Sequence, residues 1–350
     1  MKGSIMFTIA RRGVLGLGAG AAALALAGAG RKARAVDPVE VRVGFIPVTG
    51  VSQLFVLNGL GWAEEKGLKL TLTQFASGPN LIQAVASGGI DAYFAGVGPL
   101  IVARQKGVGV KVVAATAVEE VAVLGGKKVA EAVAKGGTIA EAFAAVAKDL
   151  GRPVKIATQP KGSVPQTMLL YWIRKVAKID DASVEVVPLG IEETQQALLA
   201  GGVEAATVRE PAITVVMEKN PDIRILVTGG QILPNQPGSV FGLTEAFIEK
   251  APAAAQSLVD LTVKATDLLN KDPKSAAPLV NAVLGKGLLS VETVEKALVS
   301  PGSKFAADPE SILESTGIFQ DFQLEIGAID KVGDLTQLFD ASYYKKAVGK

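Results

Sequence analysis

The stretch that decides the fold is Gln83-Ala-Val-Ala-Ser-Gly-Gly-Ile-Asp-Ala92, which returns 113 positions later as Gln196-Ala-Leu-Leu-Ala-Gly-Gly-Val-Glu-Ala205. In each copy a helical stretch runs into a pair of glycines and then into a short apolar run. Gly88 and Gly201 can adopt positive φ and end the helix, so that the chain turns directly into a buried strand. The repeat therefore predicts a helix-to-strand corner that is used twice.

The segment from Val41 to Pro47 is related by the same offset of 113 to the segment from Val154 to Pro160. Outward from these segments, β-branched apolar runs alternate with helical stretches. The first series of predicted strands is Val41 to Ile46, Leu70 to Phe75, Ile90 to Gly96 and Val110 to Thr116. The second series is Val154 to Thr158, Val184 to Leu189, Val203 to Val208 and Ile223 to Thr228. This order predicts an α/β fold of two doubly wound lobes with mostly parallel sheets and a ligand cleft between them.

The chain of 350 residues is long enough for two such lobes. We expect residues 121–237 to form lobe two, and residues 36–120 together with 238–350 to form a discontinuous lobe one. A strand at Gly238 to Phe247 would return to lobe one, and C-terminal helices would pack on it. Asp272-Pro273 and Asp308-Pro309 are typical of helix starts, with an N-cap followed by Pro at the first helical position.

Residues 1–35 are interpreted as a cleaved export signal. Arg11-Arg12 precede an apolar run from Val14 to Gly30, and Ala33-Arg34-Ala35 is a small-residue cleavage site. The paired arginines favour twin-arginine export, although a Sec signal can also hold two arginines. Because the chain contains no cysteine, a lipid anchor is not expected. The sequence predicts an exported, soluble protein of the periplasm.

Composition excludes several classes of chemistry. With 0 Cys and 0 His, the chain cannot build a disulfide, a thiolate nucleophile, a Cys/His metal site or a Ser-His-Asp triad. Six of the 36 basic residues lie in the export segment, which leaves 30 against 34 acids, or about −4. Nucleic-acid binding is therefore not expected, nor is a metal or cofactor, and we expect a monomer that is not an enzyme.

Several segments share their order and spacing with one known family: Val41 to Pro47, Gln74 to Asn80, Ser87 to Ala92, Gly96 to Pro99, Val186 to Leu189, and Ala200 to Ala205 with Glu210-Pro211. Through these segments the sequence resembles the periplasmic solute-binding proteins of ABC importers of the nitrate/sulfonate/taurine group. It implies a type II periplasmic-binding fold, a small-molecule ligand and an ABC permease of the inner membrane as partner. Arg209 departs from the aromatic residue that usually precedes Glu-Pro in that group. An Ala-rich insert from Lys127 to Gly151, with a capping box at Thr138 and Glu141, is the second departure.

Ligands of doubly wound sheets bind beyond the carboxyl ends of the strands, where helix N-termini present free N–H groups. Serine hydroxyls beside such groups suit sulfonate, carboxylate or nitrate oxygens, but each serine could equally be the N-cap of its own helix. The candidate ligand-binding residues are Pro47, Ser52, Gln53, Ser77, Asn80, Gly96, Gly98, Thr116, Lys161, Ser163, Gln166, Arg209 and Glu210.

Arg209 gives the sharpest hypothesis about the ligand. Its guanidinium could hold the oxygens of an anion bidentately, or it could form an ion pair with Glu210 or lie solvated at the rim. Phe45 and Tyr93 could line an apolar wall, although strand alternation also fits core positions. The sequence thus predicts capture of a small anion, with a sulfonate or taurine-like organic acid favoured. An enzyme related to pyrimidine synthesis and a receptor-docking sensor remain as alternatives.

Overall fold

The computed structural model describes residues 37–350, and the predicted export segment lies outside them. Its strands form where β-branched and apolar residues cluster, close to the predicted positions. They are β1 (Val39–Phe45), β2 (Leu68–Gln74), β3 (Ala92–Gly96), β4 (Val110–Ala115), β5 (Ala117–Val118), β6 (Ala122–Gly125), β7 (Val154–Thr158), β8 (Val184–Pro188), β9 (Ala205–Val208), β10 (Arg224–Val227), β11 (Ser239–Thr244) and β12 (Lys304–Phe305).

The helices cover both faces of the sheets and account for most of the remaining chain. They are α1 (Ser52–Gly59), α2 (Trp62–Glu65), α3 (Gly78–Ala86), α4 (Val97–Gln105), α5 (Lys127–Ala134), α6 (Ile139–Leu150), α7 (Val164–Tyr171), α8 (Ile191–Leu199), α9 (Ala212–Lys219), α10 (Gly229–Ile232), α11 (Glu245–Lys250), α12 (Pro252–Lys271), α13 (Pro273–Leu284), α14 (Val291–Leu298), α15 (Leu313–Glu325), α16 (Leu335–Leu338) and α17 (Ser342–Ala347). Short 3₁₀ turns lie at Thr49–Val51, Asp181–Ser183 and Pro309–Ile312, and a π-helical turn at Trp172–Val176. None of the helices within residues 37–350 has the length and apolarity needed to cross a bilayer.

Two five-stranded sheets share one topology, which confirms the predicted α/β class. The first sheet has the order β2-β1-β3-β11-β4, and the second, read from its parallel edge, has the order β8-β7-β9-β6-β10. In each sheet the fourth strand, β11 or β6, runs antiparallel to both neighbours. The ring of Phe94 on β3 stacks on that of Phe241 on β11 at 4.5 Å between centroids, so the returning strand is fixed by core packing.

The offset of 113 extends through whole elements. Helices α3 and α8 have the same length and begin at Gly78 and Ile191, while β3 and β9 begin at Ala92 and Ala205. The predicted helix ends are confirmed, since Gly88 has φ 74° and Gly201 has φ 70°. In both corners the second glycine closes the last turn, with Gly89 N and Gly202 N each donating to a carbonyl oxygen 2.9 Å away.

Each corner is also tied to the neighbouring strand by an acid. Asp91 accepts the backbone N–H of Arg42 at 3.0 Å and pairs with its guanidinium. Glu204 accepts the backbone N–H of Lys155 at 2.8 Å and pairs with the guanidinium of Arg152. Arg42 and Lys155 are 113 positions apart, so the two acids bind equivalent backbone groups.

The C-terminal helices pack mainly on the first sheet, as expected. Helix α12 lies against α1 and β4, and α17 lies against α12 and β4. Two of them also reach the helices of the second sheet, because α14 contacts α9 and α15 contacts α7. The Ala-rich insert forms α5 and α6, and the predicted capping box is present, with Glu141 N donating to Thr138 Oγ1 at 3.1 Å.

Candidate ligand-binding cleft

The carboxyl ends of the two sets of parallel strands meet in the middle of the molecule. Thr49 N, after β1, donates to the Glu210 carbonyl oxygen, after β9, at 2.8 Å. Ile191 N, at the start of α8, donates to the Ala76 carbonyl oxygen, after β2, at 3.2 Å. We call the space bounded by these strand ends the cleft. Backbone contacts of this kind across it describe a closed arrangement.

Ser77 and Ser163 are the N-cap residues of α3 and α7, which follow β2 and β7, and both serines are buried. Ser77 Oγ accepts the N–H of Asn80, and Ser163 Oγ accepts the N–H of Gln166, each at 3.3 Å. The N-cap alternative is therefore what the structure shows for both serines. A capping hydroxyl still has its own proton to donate, so a contact with a ligand oxygen stays a prediction.

Three further predicted residues, Ser52, Gln53 and Thr116, have buried side chains on the first-sheet side. Gln53 Nε2 donates to the Thr116 carbonyl oxygen at 2.7 Å and to Thr266 Oγ1 at 3.2 Å. Ser52 Oγ, Gln53 Oε1 and Thr116 Oγ1 are buried and have no hydrogen-bond partner among the described residues. On the other side of the cleft, Gln166 Oε1 is in the same situation. Buried polar atoms without partners are uncommon in folded proteins, so each of these atoms calls for an explanation.

Gly96 and Gly98 lie against residues of the other side of the cleft. A Cβ atom on Gly98 would stand 2.7 Å from the Gly162 carbonyl oxygen and 3.1 Å from the Phe319 ring, and one on Gly96 would stand 2.9 Å from Val164 Cγ2. The side chains of Asn80 and Lys161 are exposed, and the structure does not bring them into the buried group.

Arg209 pairs with Glu120, an acid of the crossover between the sheets, and not with Glu210. Arg209 Nη1 lies 3.0 Å from Glu120 Oε1, and the two side chains are only 4% and 1% exposed. Ser239 Oγ donates to the same carboxylate oxygen at 2.8 Å. Glu120 Oε2 lies against Gly50, where a Cβ would clash with it, and has no partner among the described residues. Arg209 keeps further N–H donors, so anion binding stays a prediction.

Sequence reasoning missed Glu120. The signal in the sequence was the acidic pair Glu119-Glu120, which begins three positions after the end of the predicted strand Val110 to Thr116. Tyr93, a candidate for the apolar wall, is buried and donates its hydroxyl to the Gly96 carbonyl oxygen at 2.7 Å. Phe45 packs edge-on against Phe55 in the core.

The Glu210 carboxyl is buried and is hydrogen-bonded at the start of α9. It accepts Thr214 N at 3.0 Å and Thr214 Oγ1 at 2.9 Å, so it caps the start of α9. Burial raises the pKa of Glu210, while hydrogen bonds from Ser300 and Thr214 oppose that effect. It is the carbonyl oxygen of Glu210, not its carboxylate, that faces Thr49 across the cleft.

A cavity of about 180 Å³ opens at one side of the cleft. Its lining comes from Pro47, the first turns of α8, the segment from Arg209 to Lys219, and the loop from Leu284 to Leu289. Lys286 in that loop pairs with Glu192 of α8 at 2.9 Å, and Gln74 of β2 donates to the same carboxylate oxygen at 3.3 Å. The hydrogen bond from Lys286 lowers the pKa of Glu192 despite partial burial. Glu192 thus bridges elements on both sides of the cleft.

Two sheets of one topology, with polar loops facing each other across a cleft, define a two-lobed binding-protein fold. Comparison with known families agrees with this class. The model of the NMT1-like family matches residues 34–284, and the chain belongs to that family.

Two curated proteins are similar in sequence to most of this chain. The chain is 25% identical over 251 residues to the nitrate import ATP-binding protein NrtC of Synechococcus elongatus, covering 69% of this chain and 37% of that protein. It therefore spans little more than a third of the length of that relative. It is 23% identical over 313 residues to a putative aliphatic sulfonates-binding protein of Bacillus subtilis, covering 88% of each.

Solved structures share the fold. The periplasmic nitrate-binding protein NrtA from Synechocystis superposes with a TM-score of 0.75 at 16% identity, over 89% of each chain. The alkanesulfonate-binding protein SsuA from Xanthomonas axonopodis, bound to MOPS, superposes with a TM-score of 0.66 at 20% identity, over 85% of this chain and 96% of that one. These similarities confirm the predicted fold.

Proposed function

We propose that this protein is the periplasmic solute-binding component of an ABC uptake transporter and that it captures a small anion by closing two lobes on it. Residues 36–120 with 238–350 would form one lobe and residues 121–237 the other. A sulfonate or taurine-like organic acid is the favoured ligand, since relatives are described as binding sulfonates or nitrate. The closed form would be presented to a permease of the inner membrane, after export directed by residues 1–35.

The observation that carries the proposal is the set of buried polar atoms without partners on both sides of the cleft. Ser52 Oγ and Thr116 Oγ1 lie on the side of the first sheet, and Gln166 Oε1 lies on the side of the second. Such groups cost free energy unless they are hydrogen-bonded, and a ligand held between the sheets would provide partners to both sides at once. Binding in this way would also couple ligand capture to closure.

The interaction across the cleft supports closure as the motion. Thr49 N and Ile191 N donate to carbonyl oxygens on the opposite side, so closure would form these bonds and opening would break them. The absence of His and Cys from the chain removes the side chains that most often carry out nucleophilic and acid–base catalysis. We therefore propose binding without a chemical step.

Ligand binding can be tested by thermal unfolding of the purified protein with nitrate, sulfate, alkanesulfonates, taurine and neutral controls. A ligand at 100 times its Kd stabilises the folded protein by about 2.7 kcal/mol, which shifts the Tm by several degrees. Stabilisation by one class of anion is the expected result. Stabilisation by neutral or cationic compounds alone would contradict the anion part of the proposal.

Closure can be tested with Gly98→Ala. The new methyl group would meet the Gly162 carbonyl oxygen across the cleft, so it should obstruct the closed form and weaken ligand binding at least about tenfold. Gly317→Ala is the matched control, because a Cβ on this residue of α15 meets no atom within 4 Å. Titration calorimetry measures both affinities. Equal affinities for the two variants would argue against closure at this position.

A further inference from the structure

A contact between α7 and α15 joins the two sides of the cleft through side chains that play no part in the candidate site. Helix α7 packs on β7 of the second sheet, whereas the turn Pro309–Ile312, which leads into α15, packs on β4 of the first sheet. The ring of Tyr171 on α7 meets the ring of Phe322 on α15 edge-on, with centroids 5.2 Å apart and an angle of 83° between the planes. Phe322 is 3% exposed, so this aromatic pair is packed and water is largely excluded from it.

Lys175 adds two charged contacts to the aromatic pair. Its Nζ lies 2.8 Å from Glu325 Oε2 and 5.8 Å from the centroid of the Phe322 ring. Tyr171 and Lys175 are four positions apart on one helix, and Phe322 and Glu325 are three apart on the other, so both members of each pair can face the same neighbour. Each helix therefore presents one aromatic ring and one charge to the other, with opposite signs.

A π-helical turn carries the chain from Tyr171 to Lys175. This turn spans Trp172–Val176, and Ala177 N donates to the Trp172 carbonyl oxygen at 2.8 Å. Turns of this kind are rare and often occur at functional positions. Because α7 continues through the π-helical turn, Lys175 extends the face that Tyr171 begins.

The first half of the repeat makes a different contact at the equivalent position. Lys175 corresponds to Trp62 at the offset of 113. Lys264 of α12 lies over the Trp62 ring at 3.6 Å from its centroid, and α12 also packs on β4 of the first sheet. The first contact is thus made within one side of the molecule. The second, between α7 and α15, crosses from one side to the other.

A contact that forms only when the two sides approach lowers the free energy of the closed arrangement relative to an open one. The contact between α7 and α15 needs no bound molecule, because all of its partners belong to the chain. The apparent affinity for a ligand depends on the fraction of molecules in the binding-competent arrangement. Residues remote from the ligand can therefore change its affinity through closure alone.

We propose that four side chains form a latch that stabilises the closed arrangement without contacting the ligand: Tyr171, Lys175, Phe322 and Glu325. This inference rests on the closure of two lobes in the proposed function and identifies positioning residues for it. The aromatic pair supplies packing, and the ion pair fixes which parts of the two helices meet. The latch holds the strand ends of the two sheets in register for ligand capture.

Charge reversal tests the ionic part of the latch. Lys175→Glu and Glu325→Lys each place like charges across the contact, whereas the double variant restores opposite charges. The chain contains no cysteine, so spin labels can be attached only at introduced positions, here Lys66→Cys and Lys148→Cys, which are exposed on the two sides. Pulsed electron–electron double resonance without added solute then measures the distances between the sides. Each single reversal should raise the ratio of open to closed molecules about fivefold, and the double variant should restore the original ratio.

The aromatic part is tested by Phe322→Leu, which keeps an apolar side chain but removes the ring that Tyr171 and Lys175 contact. The ratio of open to closed molecules should rise about tenfold. Lys345→Glu is the matched control for charge reversal, because Lys345 pairs with Glu310 at 2.7 Å, at an exposure similar to that of the latch ion pair and within the C-terminal elements. This control should leave the distances unchanged. Circular dichroism and the Tm establish that each variant folds.

The outcomes separate the latch from the proposed function. Equal distance distributions for all variants would overturn the latch, and so would single reversals whose effect the double variant does not reverse. Neither result bears on solute binding, because no solute is present in this experiment. Failure of every solute to raise the Tm in the thermal unfolding experiment would overturn the proposed function instead, whatever the distances show.

Discussion

The two halves of the molecule are alike at one end of their sheets and different at the other. At the end remote from the cleft, Gly88 and Gly201 terminate equivalent helices with nearly equal φ. At the cleft end the same offset aligns Gly96 of the first repeat with Arg209 of the second, and Pro79 with Glu192. At the remote ends each half only has to end a helix and begin a strand, so one arrangement serves both halves. The cleft ends must also fit each other and a ligand.

Burial and bonding explain this difference. Asp91 and Glu204 each bind a backbone N–H within their own half, so the same solution suits both halves. Arg209 instead pairs with Glu120 of the crossover segment, and Glu192 pairs with Lys286 beyond both repeats. Symmetry is thus retained where contacts are internal to a unit and is lost where a unit meets another part of the chain.

The largest expected effect comes from Arg209→Met, which removes the charge that has no counterpart in the first half. Glu120 would be left buried without its ionic partner, and the free energy of unfolding should fall by about 3–5 kcal/mol. Urea denaturation followed by circular dichroism measures the loss.

The double variant Arg209→Met with Glu120→Gln provides the control for this prediction. Removing both charges should restore part of the stability, because the main cost of the single change is an unpaired buried carboxylate. A loss below about 1 kcal/mol for Arg209→Met alone would mean that the pair does not stabilise the closed arrangement.

These residues also mark how far the sequence could predict the structure. The ends of the helices at Gly88 and Gly201 could be predicted because helix termination is a local property of the backbone. The partner of Arg209 could not, since Glu120 is 89 positions away and periodicity carries no information about which strand ends face each other. The loop from Leu284 to Leu289 was missed for the same reason, because its position depends on the packing of α13 and α14.

The second prediction tests the likeness of the two halves through Asp91→Asn and Glu204→Gln. Each change removes a charged acceptor from one backbone N–H and one guanidinium, and the side chains are 17% and 11% exposed. We expect similar losses of about 1–2 kcal/mol at pH 7 from the two variants. Unequal losses, measured by urea denaturation, would show that the corners are not energetically equivalent.

The pH dependence sharpens this prediction. Burial alone would raise the pKa of Asp91 and of Glu204, but hydrogen bonds from Arg42 and from Arg152 with Lys155 hold both pKa values below the ordinary 3.8 and 4.5. A lowered pKa in the folded state adds stability above the ordinary value and loses it as the pH falls through the folded value. The difference between wild type and either variant should therefore shrink on acidification below about pH 4.

The third prediction concerns Gly88→Ala and Gly201→Ala. A Cβ at either position meets no atom within 4 Å, so the cost should come only from the positive φ and should be about 1 kcal/mol in each half. Gly317→Ala, in the middle of α15, should cost nothing. If Gly88→Ala and Gly201→Ala differ by more than about 1 kcal/mol, factors beyond backbone conformation distinguish the two corners.

The smallest effect is expected from Glu192→Gln, which removes an ion pair between the two sides of the cleft. Both partners are about half exposed, so the pair should add at most about 1 kcal/mol and the Tm should hardly change. Because the pair forms only when the sides approach, its loss should appear in ligand binding as a drop of up to about fivefold. That drop should disappear at high salt, where the wild-type pair is screened.

Glu310→Gln separates this effect of closure from the general loss of a surface ion pair. Glu310 pairs with Lys345 at 2.7 Å with similar exposure, but both residues lie in C-terminal elements that pack on β4. Its replacement should leave ligand affinity unchanged at any salt concentration. Equal responses of the two variants in titration calorimetry would mean that Glu192 contributes only as a surface charge. The difference in sequence between the two halves at this position would then have no effect on closure.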